Sequence, residues 1–304
     1  MIYRLLHGSV RFLSRVPLPL GRFLGKMLGL VASMIPLTRP AIVLESIRRS
    51  FDGTLGEDGA RSLLLKVYLH FGQMFFEVPH ILKLHRDNLH DYVVFEKEGN
   101  LLEAAARGKG VFILTAHFGN WELMSAAISL RYGPGAVVVR PIDFEPLDRI
   151  VSMMRSQFGT EAIPKQRAMR RLMSAIRKGK MIGILLDQNV DWYEGAFVKF
   201  LGRWACTNKG LALMALKTGT PVIPTFSVRS EDGRYRVVFE REIELVRTGD
   251  KVRDVEENTA LFTQAIERYV LKYPDQWFWF HRRWKTRNYC PLPEGYPKER
   301  QNVQ

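Results

Sequence analysis

The run Val111-Phe-Ile-Leu-Thr115, continued through Ala116 into His117-Phe-Gly-Asn-Trp-Glu122, constrains this chain more than any other stretch. It has no polar face, so it reads as a strand buried on both sides. Strands and helices alternate around it. The pattern predicts a strand near 92–95, a helix near 101–106, the strand 111–115, a helix over 120–130 and a strand over 136–140. A helix with Leu147, Ile150, Val151, Met154 and Phe158 on one face follows, then a basic helix over 166–178 and a strand over 181–186. Thr207 is placed to cap a helix ending at Gly219, β segments fall at 222–228 and 235–239, and a long helix runs from about 255 to 273. The fold class implied is α/β, a mainly parallel central sheet flanked by helices. Upstream, Leu64, Val67, Phe71, Phe75 and Val78 recur at helical steps, giving an amphipathic helix over 60–84 that stops near Pro79. Its His70, with His80 and His85, reads as surface or groove-lining.

A histidine at a strand end is held by the sheet behind it, and His117 has a carboxylate five residues on. Residues five apart on one continuous helix would lie roughly 140° apart around its axis, so His117 belongs just before the helix. Glu122 in the first turn would then reach back and hold the ring in one tautomer, leaving His117 as a candidate general base. Gly119 would let a substrate approach the backbone, and free N–H groups near Asn120 would face developing negative charge. The plainer reading is a surface histidine followed by an acidic first helical turn, which suits the helix dipole alone.

The chain carries 45 basic and 31 acidic side chains, a formal charge of +14, which favours an anionic partner: a phospholipid surface, a phosphorylated substrate, an acidic carrier protein or nucleic acid. Cys206 and Cys290 are too few and too far apart for a zinc site or a disulfide framework, and no metal is expected. Before Glu45 there is no acidic residue, while Arg4, Arg11, Arg15, Arg22, Lys26 and Arg39 interleave with apolar side chains. The nearly uncharged run from Met27 to Leu37 is about half the roughly 20 residues that span a bilayer, which favours an interfacial or shallowly inserted anchor over a spanning helix. Arginines scattered through the apolar part argue against an export signal. No repeat or linker divides the rest, so residues 1–50 read as an amphipathic anchoring segment and 51–304 as one catalytic domain.

His117-Phe-Gly-Asn-Trp-Glu122 resembles the H-x4-D/E signature of glycerolipid-type acyltransferases, in the glutamate form of the bacterial lipid A late acyltransferases. Val138-Val-Arg140-Pro141, Leu185-Leu-Asp187-Gln188-Asn189 and the stretch from Gln276 through His281 to Arg287 are similar to further motifs of that family, in the same order. Gly119-Asn120-Trp121 departs from the bulkier residues of its best-known members. The resemblance implies a membrane-associated O-acyltransferase at the cytoplasmic face of a bacterial inner membrane. It would move an acyl chain from acyl carrier protein or coenzyme A to a hydroxyl of a lipid A precursor or related glycolipid, with the donor as substrate and no cofactor. His117 and Glu122 would carry the chemistry, and Gly119, Asn120, Arg140, Asp187 and Gln188 would bind substrate. No nucleophile is needed for direct attack on a thioester, and the chain has no G-x-S-x-G elbow.

Arg140, at a strand's carboxyl end, could contact a phosphate or an oxyanion, or simply pair with Asp143. Asp187 could order the site by binding Arg140 or a loop N–H, or merely cap a loop. Lys165, Arg167, Arg170, Arg171, Arg177, Lys178 and Lys180 form a solvated face or steer an acidic carrier, while Met169, Leu172, Met173 and Ile176 face the core. Trp277, Trp279 and Trp284 among His281, Arg282, Arg283 and Lys285 suit a membrane interface, or burial of the rings with exposed arginines. Three alternatives remain beside lipid A acylation: another phospholipid or glycolipid acceptor, a non-catalytic lipid-binding protein, and nucleic-acid binding. Against the last stands the absence of any recognisable nucleic-acid-binding motif.

Overall fold

A computed structural model describes residues 2–51, 54–165 and 168–286. Four helices come first: α1 (Ile2–Leu13), α2 (Leu18–Met34), α3 (Pro40–Ser50) and α4 (Glu57–Glu77), then a short α5 (Leu89–Tyr92). The alternating region runs β1 (Val93–Glu96), α6 (Glu98–Ala106), β2 (Val111–Thr115), α7 (Trp121–Tyr132), β3 (Ala136–Val139), α8 (Glu145–Ser156), β4 (Glu161–Pro164), α9 (Ala168–Arg177) and β5 (Met181–Leu185). A hairpin, β6 (Gly195–Phe200) and β7 (Arg203–Asn208), precedes α10 (Gly210–Thr218), β8 (Val222–Arg229), β9 (Tyr235–Phe239) and α11 (Lys251–Lys272).

The seven-stranded sheet has the order β1-β9-β8-β2-β5-β3-β4, and every pairing is parallel except β8 with β9. That exception follows from chain length, since the connection across Ser230–Arg234 is too short for a crossover and must reverse the chain. β2 lies in the middle, and its side chains alternate between two cores. Phe112 and Leu114 join the core that includes α4, α9, α10 and α11 residues, while Val111 and Ile113 join the one built by α6, α7 and α8. The sheet is therefore covered on both faces, as the alternation implies.

Where the structure departs from expectation, packing explains it. Thr207 does not cap a helix; it is a buried residue of β7, and α10 starts at Gly210 behind an N-cap at Lys209. Leu201 and Gly202 both have positive φ, a type I′ turn that joins β6 to β7. The helix expected over 60–84 ends as α-helix at Glu77 and tightens into a 3-10 turn through Lys83. His70 and His80 are buried, not superficial; His85 is exposed. Met169 faces solvent, whereas Leu172 and Ile176 are buried. Cys206 is buried in β7 with its thiol pushed up to about 11 by burial. Gln166, Arg167, Arg287 and Cys290 lie outside the described residues.

The N-terminal helices are not a detached tail. Val43 and Ile47 of α3 are fully buried in the main core, and α2 lies directly on α4. Gly21, Gly25 and Gly29 repeat every fourth residue, so they form one stripe of α2 without side chains. A Cβ added at Gly25 would sit 2.5 Å from the Gly72 carbonyl oxygen, and one at Gly72 would sit 2.1 Å from that of Gly25. Backbone meets backbone there. Among the described residues no helix is long and apolar enough to cross a membrane.

Gly72→Ala should force the two helices apart and cost about 1–3 kcal/mol, the range of overpacked sites. Gly8→Ala, where an added Cβ meets nothing within 4 Å, should instead raise stability by about 0.5–1 kcal/mol. Thermal unfolding of the two variants beside the parent protein measures both.

Candidate active site

The parallel register of β2 and β5 builds the site. Thr115 pairs with Leu185, and the Leu186 N–H donates to the Thr115 carbonyl at 3.0 Å, so His117 and Asp187, each two residues beyond that pair, emerge side by side. This is the carboxyl edge of the sheet, where open α/β folds place their ligands. The His117 ring nitrogen Nδ1 lies 2.9 Å from Asp187 Oδ1, and the His117 backbone N–H donates to Oδ2 at 3.0 Å. A third donor, Trp277 Nε1–H, reaches the same Oδ2 at 2.8 Å. Asp187 is 3% exposed. Burial works to raise its pKa, but the His117 ring and the donated hydrogen bonds outweigh it and hold the carboxyl below the ordinary aspartate value.

An ionised carboxylate can only accept, so Nδ1 carries the hydrogen and Nε2 keeps its lone pair. Gln188 Nε2 lies 3.4 Å from that nitrogen. Trp121 meets the His117 ring edge-on at 5.1 Å between centroids, and Phe278 lies at 6.1 Å. The His117 side chain is 23% exposed. The arrangement can take a proton at Nε2 from a group entering beside two aromatic rings, with Asp187 stabilising the imidazolium that forms.

Glu122 does not hold the His117 ring. Its carboxylate accepts from Arg155 of α8, through Nε at 2.9 Å and through Nη2, and from Trp121 Nε1 at 3.1 Å. His117 does precede the helix, although the pairing with Glu122 that suggested this position is not made; the side chain of Asn120 caps α7 by accepting from the Leu123 N–H at 3.0 Å. From the first turn of α7, Glu122 points to α8, and the strand neighbour supplies the carboxylate to His117. Arg140 is 78% exposed and lies 3.5 Å from Asp143, the plainer of its two readings, so Asp187 binds the His117 loop N–H and not Arg140. His117, Gly119, Asn120, Glu122, Asp187 and Gln188 come together; Arg140 does not join them.

The C-terminal segment closes this edge. Phe278 N–H donates to the His117 carbonyl at 3.0 Å and Gly119 N–H to the Gln276 carbonyl at 2.9 Å, so residues 276–278 pair with the turn like a short strand. Trp277 and Trp279 are buried, but so is Arg283, against the expectation of exposed arginines. Its guanidinium donates to the carbonyls of Cys206 at 2.8 Å and Gln188 at 3.4 Å and to Thr207 Oγ1, and burial lowers its pKa to about 10. Arg283 thus ties the loop after β5 to β7. Arg155, Trp277 and Arg283 were missed as site residues; an arginine in the helix after β3 and a tryptophan one residue from Gln276 gave no spacing signal.

Residues 2–286 match the family of bacterial lipid A biosynthesis acyltransferases, a span that takes in the whole site. The chain belongs to that family. It is therefore an O-acyltransferase. This acyltransferase is 24% identical to the lipid A biosynthesis acyltransferase of Haemophilus influenzae over 76% of its length and 71% of that relative. It is 22% identical to the lipid A biosynthesis lauroyltransferase of Escherichia coli over 95% of its length and 92% of the relative. It is also 23% identical to the phosphatidylinositol mannoside acyltransferase of Mycolicibacterium smegmatis, over 61% of the chain and 60% of the relative.

Asp187→Asn should keep the fold at neutral pH and lower turnover by about a hundredfold or more, because an amide no longer fixes the tautomer. A depressed folded-state pKa means the carboxylate stabilises fully above the unfolded value of about 3.9 and loses that contribution as pH falls through the lower folded value. Denaturant unfolding at pH 6 and pH 3 should therefore show a steeper acid loss in the parent protein than in Asp187→Asn.

Proposed function

We propose that this acyltransferase moves a fatty acyl chain from a thioester donor, acyl carrier protein or coenzyme A, to a hydroxyl of a lipid A precursor at a membrane surface. The observation that carries the reading is the His117–Asp187 pair with Nε2 unencumbered by an acid. As the acceptor oxygen attacks the thioester carbonyl carbon, its proton passes to His117 Nε2. The tetrahedral intermediate then expels the thiolate by breaking the carbon–sulfur bond, and Nε2 returns the proton to that sulfur. Asp187 stays ionised throughout and offsets the imidazolium charge. Glu122, locked to Arg155, fixes the first turn of α7 and brings the Arg155 charge to the same edge.

An apolar cavity between α7 and the sheet supports an acyl seat. Trp121 and Thr115 line it near His117; Met124, Ile128 and Gly183 line its walls. It follows β5 from Leu185 back to Met181, roughly 13 Å at the rise of a parallel strand. Its volume is ≈ 50 Å³, and a Cβ at Gly183 would stand 3.1 Å from Val137 Cγ1, so any longer side chain there would narrow it further.

Membrane association is supported by α2. Opposite its glycine stripe, Leu20, Phe23, Leu24, Met27, Leu28, Val31 and Met34 are exposed, and an apolar face that long on one helix suits the interfacial region of a bilayer. Between α1, the 78–83 turn and α8, a cleft of ≈ 310 Å³ is lined by His7, Arg11, Arg15 and Lys83 with no acidic lining residue, a fit for anionic headgroups. The mycobacterial relative favours a second acceptor reading, a phosphoglycolipid other than a lipid A precursor.

His117→Ala should lower turnover by about a hundredfold or more while folding and vesicle binding persist. Mass spectrometry of acceptor lipids incubated with acyl donor and either protein reads this, with lipid A precursor and phosphatidylinositol mannoside offered side by side. Acyl mass on the first acceptor supports the primary reading and acyl mass on the second alone supports the other. Undiminished turnover in His117→Ala would remove both.

A further inference from the structure

Behind the His117–Asn120 turn lies a buried polar cluster that the acyl-transfer reading does not use. Glu77, at the end of α4, is 3% exposed and accepts from three elements. Arg229 of β8 grips it with both terminal nitrogens, at 2.5 and 2.7 Å. Arg22 of α2 donates at 2.9 Å, and Tyr235 of β9 donates its hydroxyl at 2.8 Å. Arg22 also donates to the Gly233 carbonyl at 2.6 Å, so it spans from the outward helix to the β8–β9 turn. Two cations and one anion share this interior, an arrangement that persists only when every group is hydrogen-bonded.

His70 continues the cluster toward the reactive edge. Arg229 Nε–H can only donate, so His70 Nδ1, 3.3 Å away, must be the bare nitrogen. The hydrogen then sits on Nε2, which lies 3.3 Å from the Gly119 carbonyl, itself only an acceptor. The partners thus define one neutral tautomer. Burial, aided by the neighbouring Arg229 charge, drives the His70 pKa down to about 3, so this ring does not become charged near neutrality.

Gly119 is held on every side. Its φ is +58°, and an added Cβ would fall 1.6 Å from the Ser227 carbonyl oxygen, so both conformation and space require glycine. Its N–H is bonded to the Gln276 carbonyl, and the Gln276 side chain in turn accepts the Arg229 N–H at 2.7 Å. Both polar groups of the Gly119 residue therefore end on partners anchored by Arg229. The orientation of this unit sets where His117, two residues before, and the N-terminus of α7, two residues after, are presented.

We infer that His70 is a positioning residue for acyl transfer: its Nε2–H holds the Gly119 carbonyl, and through Arg229 and Glu77 it ties the reactive turn to Arg22 on α2. The inference rests on the reading of His117 as the base. A displacement of about 1 Å at a reacting group is enough to cost on the order of a hundredfold in rate, so a lost clamp acts on turnover with little effect on binding. The same chain gives the exposed α2 helix a mechanical connection to the turn.

The test compares His70→Ala, His70→Gln, Arg22→Gln and His117→Ala by kcat, KM and melting temperature, using the full chain on acceptor-containing vesicles. His70→Ala should lower kcat about tenfold or more with KM within about twofold, and His70→Gln, whose amide N–H reaches the Gly119 carbonyl, should recover to within about threefold of the parent. Arg22→Gln should also lower kcat, and adding it to His70→Ala should cost little more, because both cut one connection. If His70→Ala does not fold, His70→Asn, whose amide stops short of Gly119, takes its place with the same expected loss. Parent-level kcat in His70→Ala or His70→Asn, or a His70→Gln variant as impaired as His70→Ala, overturns the inference while an inactive His117→Ala leaves the base intact. Parent-level turnover in His117→Ala overturns both.

Discussion

Asp187 is a buried carboxylate whose two oxygens carry three N–H donors, and the reactive edge is organised around satisfying it. An uncompensated buried charge is expensive, typically several kcal/mol, so the donors cannot be arranged loosely. Two of them come from His117, on the neighbouring strand end, and one from Trp277, near the C-terminus of the described chain. One side chain thereby fixes the ring orientation of His117, the path of the loop that carries it and the docking of the 276–278 segment. The parallel register of β2 and β5 makes this convergence possible, because it brings residues 70 apart in sequence to one point.

A second constraint is backbone contact. The glycine stripe of α2 lets that helix meet the α4 backbone directly at Gly25 and Gly29, while its opposite face is apolar and exposed. That contact matters because α4 also contributes Glu77 and His70 to the cluster beneath Gly119. The outward helix, its partner helix and the reactive turn are consecutive links of one polar and steric chain. A membrane held on α2 and chemistry at His117 would thus act on a single framework.

Much of this fold was legible in the sequence, for identifiable reasons. β2 falls on the stretch expected for it, since a run without a polar face admits few alternatives, and α11 extends only a few residues beyond its expected start. β4 is four residues long with a weak apolar pattern and went unpredicted. The β6–β7 hairpin gives no sequence signal because its turn is Leu201-Gly202 rather than the Asn-Gly or Asp-Gly that marks such turns, which leaves Thr207 looking like a helix cap. In the site, His117 at a strand end was legible from the apolar run that leads into it. The identity of its carboxylate was not, because Glu122 is near in sequence whereas Asp187 becomes a neighbour only once strand order and register are known. Arg283 eluded the reading for a related reason: a buried arginine runs against composition and is tolerated only because three acceptors surround it.

Asp187 holds His117 with its hydrogen on Nδ1 and its lone pair on Nε2. Long-range 15N–1H correlation NMR on protein labelled at histidine nitrogens reads the tautomer of each ring directly, with His117→Gln providing the assignment. In its uncharged form His117 should show the Nδ1–H tautomer, opposite to the Nε2–H tautomer of His70. A His117 ring carrying its hydrogen on Nε2 would contradict that pairing.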